Sequence, residues 1–336
     1  MSSTTIGGAD AIVLELTHGG RSARARVDHT RGAALIDLHV TDSSGQWRPI
    51  VARDVPGEDA RANPACFFMV PWCNRVRDAV FVWQGRRIAL RPDGREPHAM
   101  HGDVRKRAWS IVDRSPVSAR LAFESAASGA ASGAGLGGPV NFPWAFGCEA
   151  RYELAARARG LALRIELNVT SRADEAFPVG AGIHPYFPRV QRAGGGACQV
   201  RLAAPVGGRF PSDRCMPTGP ARHDALSRRL ERLMPPAPGP QMDSYAGYGG
   251  ACYLRWPGCT VTMTSSPEHG QMVYFGPHEA LAGKPAGPSP FIAVEPMTLA
   301  ADGFNMMARG EADHGVVVLA PGQTLRLWHE LLVETA

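Results

Sequence analysis

Alternation with a period of two recurs along this chain, and it restricts the fold to sheet. Leu161, Leu163, Ile165, Leu167 and Val169 alternate with Ala162, Arg164, Glu166 and Asn168. Cys259, Val261 and Met263 alternate with Thr260, Thr262 and Thr264. Leu325, Leu327, His329, Leu331 and Val333 alternate with Thr324, Arg326, Trp328 and Glu330, and the run from Ala23 to Asp28 alternates as well. Successive side chains of a strand point to opposite faces, so each segment reads as a strand with one buried and one wet face, as in antiparallel sheet. The 38 Gly and 28 Pro supply turns between many short strands. Helical period is rare. Its best case is Asp224 to Met234, where Leu226, Leu230 and Leu233 share one side and Asp224 stands as the N-cap. The pattern predicts an all-β, mostly antiparallel chain, a sandwich or barrel, with one or two short helices.

A chain of 336 residues buries a large core, and β-sandwiches of this length often form one unit. No internal repeat or linker divides it, so residues 1–336 are expected to form a single domain. Residues 1–10 and the small-residue run 126–139 read as flexible, and 280–290 as a loop leading into Phe291, placed to act as a lid or merely solvated. The formal charge of +5 comes from scattered Arg, with only Arg105-Lys106-Arg107 and Arg228-Arg229 clustered. That is no concentrated basic face, and nucleic acid is not an expected partner. The seven Cys include no CxxC pair and several sit in apolar runs, which reads as reduced, buried thiols and gives no thiolate zinc site. There is no signal-like N-terminus and no run of 18 apolar residues, so no membrane association and a cytoplasmic location are expected.

Three separated segments hold proton-transfer groups among apolar residues, Gly and Pro: Glu96-Pro97-His98-Ala99-Met100-His101-Gly102-Asp103, Gly182-Ile183-His184-Pro185-Tyr186-Phe187, and Ile292-Ala293-Val294-Glu295-Pro296-Met297-Thr298. Two imidazoles and a carboxylate can supply an acid, a base and a hydrogen-bonding clamp. Glu295 ends an apolar strand, where an unpaired carboxylate costs several kcal/mol, so it is paired with an Arg, hydrogen-bonded or used in chemistry. Pro185 biases His184 toward extended backbone, in a setting that suits either a core histidine or a working one. His98 and His101 form HxxH, but on strand or loop that spacing does not put both rings on one face, so no metal site is predicted. Patterns for acyl or phosphoryl transfer are absent from the sequence.

These segments, with Pro71-Trp72-Cys73-Asn74-Arg75-Val76 and Met242-Asp243-Ser244-Tyr245, occur in the order found in aldose 1-epimerases. From about Gly32 to Leu332 the chain resembles that family of galactose-mutarotase-like enzymes. The resemblance implies a large β-sandwich of the galactose-mutarotase supersandwich type, a small-molecule sugar substrate and no cofactor. It implies Glu295 as general base and His184 as general acid, with Arg75, His101, Asp243 and Asn74 binding the sugar. Asp302-Gly303-Phe304-Asn305 also matches, whereas His98 fits less well. Ala79 departs from a family glycine four residues after Arg75, and Ser244 replaces a second acidic residue. Outside the resemblance, Arg75 reads as an ion pair with Asp78 or Asp103, and Asp243 as the cap of a turn. Trp72, Trp144, Phe146, Tyr186 and Phe187 flank the motifs and are expected to be mostly core. Two other readings use the same fold: an epimerase of hexose 6-phosphates, using Arg105, Lys106, Arg107 and the Arg77 region, and a non-catalytic carbohydrate-binding or sensor protein.

Overall fold

The computed structural model describes residues 11–52, 63–94, 96–125, 139–193, 196–213, 215–279 and 287–336. Of the stretches expected to be flexible, 1–10 and all but the last residue of 126–139 lie outside these residues, as does the first part of the 280–290 loop. Antiparallel strands make up most of the described chain, with two α-helices, Ala225–Leu230 and Gly303–Ala308.

One sheet has eight strands, in the order Ser110–Arg114, Ser118–Glu124, Phe146–Arg157, Gly160–Ser171, Thr324–Thr335, Cys259–Ser265, Ala251–Trp256 and Arg201–Ala203. The two longest alternating runs are neighbours in it. Leu161 lies opposite Val333, Leu163 opposite Leu331 and Leu167 opposite Leu327, so their apolar faces coincide and all six side chains are buried. His329 belongs to the same buried row. It is kept neutral by burial and the nearby His269, and its Nδ1 is 3.0 Å from Ser265 Oγ.

The second sheet runs in the order Gly208–Arg209, Gln241–Ala246, Gln271–Gly276, Phe291–Met297, Gly182–Ile183 and Phe68–Met69, with Tyr186–Pro188 also paired to Phe291–Met297. A four-stranded sheet is formed by Ala11–His18, Arg21–Asp28, Ala34–Thr41 and Trp47–Val51. A single apolar core joins the three, holding Leu14, Leu35, Phe68, Leu163, Met263 and Val294 together. The chain is thus an all-β, antiparallel sandwich, as the alternation predicts. Its first helix is shorter than the pattern. Asp224 Oδ1 caps it by accepting from the amides of Leu226 and Ser227, but beyond Leu230 the chain turns back to the sheet edge, where the Leu202 amide donates to the Met234 carbonyl. Pro235 and Pro236 then exclude further helix.

Register in the second sheet places two of the motif residues. Gly182 pairs with Met297 and Tyr186 with Ala293, so His184, midway between, falls opposite Glu295. Close approach of the two strands requires Gly182, because a Cβ there would lie 2.6 Å from the Pro296 carbonyl oxygen. The His184 amide turns the other way and donates to the Phe67 carbonyl at 3.0 Å, which leaves its ring facing Glu295.

Candidate active site

A cavity of about 350 Å³ opens over this point in the sheet. Its polar lining includes Asn74, Arg75, His101, His184 and Glu295; Phe67, Tyr186, Phe275 and Phe291 form apolar walls, with Arg31, Arg105 and Lys106 also lining it. A volume of this size suits a small molecule.

Glu295 and His184 are 2% and 4% exposed, and His184 Nε2 is 3.1 Å from Glu295 Oε1. The imidazole is held between two rings, stacked on Phe67 at 4.7 Å and tilted against Tyr186 at 4.6 Å. Burial pushes the Glu295 carboxyl well above the usual carboxylate range, and the positive charge of Arg75 pulls it partly back. Glu295 Oε2 has no hydrogen-bond partner among the described residues. A buried carboxylate of raised basicity beside a positioned imidazole is a proton-transfer arrangement.

Arg75 does not pair with Asp78 or Asp103. Its Nε and Nη2 donate to the two carboxylate oxygens of Glu96 at 2.6 and 2.8 Å, and its Nη1 donates to Asn74 Oδ1 at 3.3 Å. This forked pairing follows from the two-stranded ladder in which Arg75 lies opposite Met100 and Val76 opposite Ala99, bringing the Glu96–His101 segment alongside. Asp103 instead accepts from Arg107 at 2.6 Å and from the Asn141 amide at 2.7 Å. Asp78 is exposed, and its amide donates to His98 Nδ1 at 3.0 Å. His98 thus serves the turn and is not among the cavity lining.

Asn74 and His101 both adopt left-handed backbone, with φ of 48° and 58°, and the His101 amide donates to the Asn74 carbonyl at 2.7 Å. Gly102 follows at φ 68°, where a Cβ would lie 2.0 Å from the Val70 carbonyl oxygen. Burial, His184, Arg105 and Arg75 together depress the basicity of His101 and keep it neutral. Ala79, the departure from the family glycine, also has positive φ, at 53°, a conformation that glycine adopts more readily. The Asp302–Asn305 segment fixes that turn: Asp302 Oδ1 accepts from the Arg77 amide at 3.0 Å, and Asn305 Nδ2 donates to the Val80 carbonyl at 2.9 Å.

Asp243 is not gathered with the others. Ser244 pairs with Val273 and Val273 with Glu295, so Ser244 shares the face of Glu295 while Asp243, opposite Tyr274, points to the other face. There Asp243 Oδ1 accepts from Arg209 Nη1 at 3.1 Å, and its carboxyl is raised by desolvation against the pull of that Arg. Nor is it a turn cap: it lies within the strand Gln241–Ala246. Met242 and Phe275 line the cavity from this part of the sheet.

Glu96, Phe67, Phe275 and Phe291 are site residues that the motifs did not single out. Of the flanking aromatics, Tyr186 lines the cavity, while Trp72, Trp144, Phe146 and Phe187 are core. Cys66 and Cys73 are buried, free thiols whose acidity burial suppresses. Among the described residues no three His, Cys, Asp or Glu side chains converge as a metal site requires, and no helix is long and apolar enough to cross a membrane.

Residues 13–331 match the family described as aldose 1-epimerase. The chain belongs to the aldose 1-epimerase family. It is 27% identical over 318 residues to the uncharacterized protein YphB of Escherichia coli K12, covering 91% of this chain and 98% of YphB. A solved structure from Escherichia coli K12, provisionally named an aldose 1-epimerase, superposes with a TM-score of 0.73 at 23% identity over 97% of this chain and 100% of that one. A galactose mutarotase-like protein from Clostridium acetobutylicum gives 0.72 at 16% identity over 98% and 100%. The sandwich is therefore of the galactose-mutarotase type.

Proposed function

We propose that this protein interconverts the α and β anomers of a free aldose, with Glu295 as general base and His184 as general acid. The observation that carries this reading is the buried pair at 3.1 Å, facing one cavity from opposed positions of a single sheet. Glu295 accepts the proton of the anomeric hydroxyl while His184 donates a proton to the ring oxygen. The bond between C1 and the ring oxygen breaks and the open aldehyde forms. Rotation about the C1–C2 bond presents the other carbonyl face. Closure returns the ring-oxygen proton to His184, and Glu295 gives its proton back to the new anomeric oxygen, so protons balance and no electrons are exchanged. The hydroxyl and the ring oxygen are both bonded to C1, so an acid and a base this close need part only far enough to admit two oxygens of one carbon. Arg75, Asn74 and His101 are placed to hold hydroxyls in register with that pair.

The test is anomer exchange of freshly dissolved α-D-glucose and α-D-galactose, followed by optical rotation or by magnetisation transfer between anomeric protons. Glu295→Gln and His184→Ala should each lower kcat by about 10²- to 10⁴-fold with the fold retained. Exchange no faster than the spontaneous rate would overturn the reading, and saturable sugar binding without exchange would favour a sensor or binding protein.

A second reading, an aldose 6-phosphate as substrate, draws on Arg31, Arg105 and Lys106 in the cavity lining. Against it, Arg105 donates to Asp93 at 3.0 Å and Lys106 lies 3.9 Å from the same carboxylate, so part of that charge is already balanced. Arg107 pairs with Asp103 and is not in this lining, and Arg77 pairs with Asp302. Lys106→Ala should leave turnover of a free aldose within about threefold and would cut that of a 6-phosphate if this second reading held.

A further inference from the structure

His101 Nδ1 lies 3.1 Å from the Met69 thioether sulfur. Met69 is wholly buried, in the strand Phe68–Met69 at the edge of the second sheet, whereas His101 is partly exposed and lines the cavity. A thioether has lone pairs and no proton to give. An unprotonated Nδ1 at that distance would set lone pair against lone pair; a protonated one makes an N–H to sulfur hydrogen bond. The main chain is fixed by the His101 amide on the Asn74 carbonyl, and the ring itself packs edge-on against Phe67 at 5.7 Å and His184 at 5.2 Å, which holds it at the sulfur. Nε2 makes no hydrogen bond to any described residue.

We propose that His101 is held by Met69 as the Nδ1–H tautomer, so that its Nε2 lone pair accepts a hydrogen bond from a substrate hydroxyl. Neutrality of the ring fits this, because burial and three neighbouring cationic or protonatable groups, His184, Arg105 and Arg75, oppose a second proton. Met69 is thus a positioning residue. The inference rests on the epimerase reading for its substrate and deepens it: the sugar position next to His101 must carry a hydrogen-bond donor. Arg75 offers only donors, so a hydroxyl placed between the two side chains accepts from one and donates to the other. A group that accepts without donating, such as fluorine or a methyl ether, is selected against at that position.

The test has two arms. Full-length protein labelled with ¹⁵N-histidine is studied by long-range ¹H–¹⁵N correlation at neutral pH, with the His101 signals assigned by their loss in His101→Gln. The expected signature is a protonated Nδ1 and an unprotonated Nε2 in the native protein, shifting toward a tautomer mixture in Met69→Leu. This arm needs no turnover, so its failure is distinct from a failure of the epimerase reading. In the second arm, deoxyfluoro analogues of an active aldose are compared position by position. One position should lose about tenfold in kcat/KM on fluorination, and Met69→Leu should narrow that loss. An Nε2–H tautomer or an imidazolium in the native spectrum would overturn the proposal even if Met69→Leu did not fold. So would a folded Met69→Leu with an unchanged tautomer.

Discussion

Glu96→Gln separates an electrostatic role for the Arg75 clamp from a structural one. Arg75, holding Glu96 by two hydrogen bonds, keeps that carboxyl below the usual range, so at working pH Glu96 carries a full negative charge. That charge offsets the guanidinium that pulls on Glu295. Gln keeps the size and one acceptor but removes the charge, and the Glu295 carboxylate then faces a less compensated Arg75, with His184 and the buried Cys66 and Cys73 thiols unchanged around it. At an effective dielectric of about 20, unit charges about 4 Å apart interact by about 4 kcal/mol, and Glu96 acts on Glu295 from farther off, across Arg75. Glu96 is 35% exposed, and solvent screening reduces this to about 1 kcal/mol, or somewhat under one pKa unit. The sign follows from the chemistry. Glu295 works as a base only when ionised, so activity falls as pH falls through its raised pKa. Lowering that pKa moves the acid limb to lower pH. We expect kcat/KM for anomer exchange, measured from about pH 4 to about pH 9, to show that limb displaced downward by about half a unit to one unit in Glu96→Gln. A limb that stays in place, or rises, in a folded variant would refute the argument and leave Glu96 as a structural partner only.

Arg107→Met should lower stability by about 1–3 kcal/mol in urea unfolding, because the half-buried Asp103 would keep the Asn141 amide but lose its charged donor; an unchanged midpoint would mean that solvent replaces that donor fully. Gly102→Ala combines a left-handed backbone with a collision against the Val70 carbonyl, and should cost about 2–5 kcal/mol, read as a lowered Tm. His269 is depressed from 6.5 to about 4 by burial, so the unfolded chain takes up a proton that the folded one refuses. Stability should therefore fall as pH drops from about 6.5 toward 4, by about 3 kcal/mol from this residue. His269→Phe should flatten that dependence in denaturant titrations, and a slope unaltered by the substitution would contradict it.

Much of the sandwich was legible because burial imposes a period of two: the 161–169 and 325–333 runs are adjacent strands with matching apolar faces. His184 and Glu295 were legible through their segments, since each sits where glycine and proline shape the strand around it. Asp243 was not. Alternation states that neighbours face opposite ways, yet only the pairing of Ser244 with Val273 and Val273 with Glu295 tells which neighbour meets the cavity. The Arg75 partner was equally hidden, because Asp78, Glu96 and Asp103 are all near in sequence and a two-residue ladder chooses among them. The helix after Asp224 stops short of the pattern for a related reason: the periodic leucines continue, but the Met234 amide donates to the Leu202 carbonyl and the Leu230 carbonyl accepts from the Ala204 amide, so the bond that a further turn needs is not available.

His184 and Glu295 are set across from each other by the strand pairings that flank His184, with Phe67 and Tyr186 holding its ring. The spacing of acid and base is therefore inherited from the pitch of a β-ladder and is independent of the loops that shape the cavity mouth. Such a scaffold tolerates wholesale exchange of its loops, and with it a change in the molecules admitted, while the reacting pair keeps its geometry. The same arrangement is brittle in one direction. A single residue inserted into Phe291–Met297 ahead of Glu295 would turn the carboxylate to the far side of the sheet and present its neighbour instead.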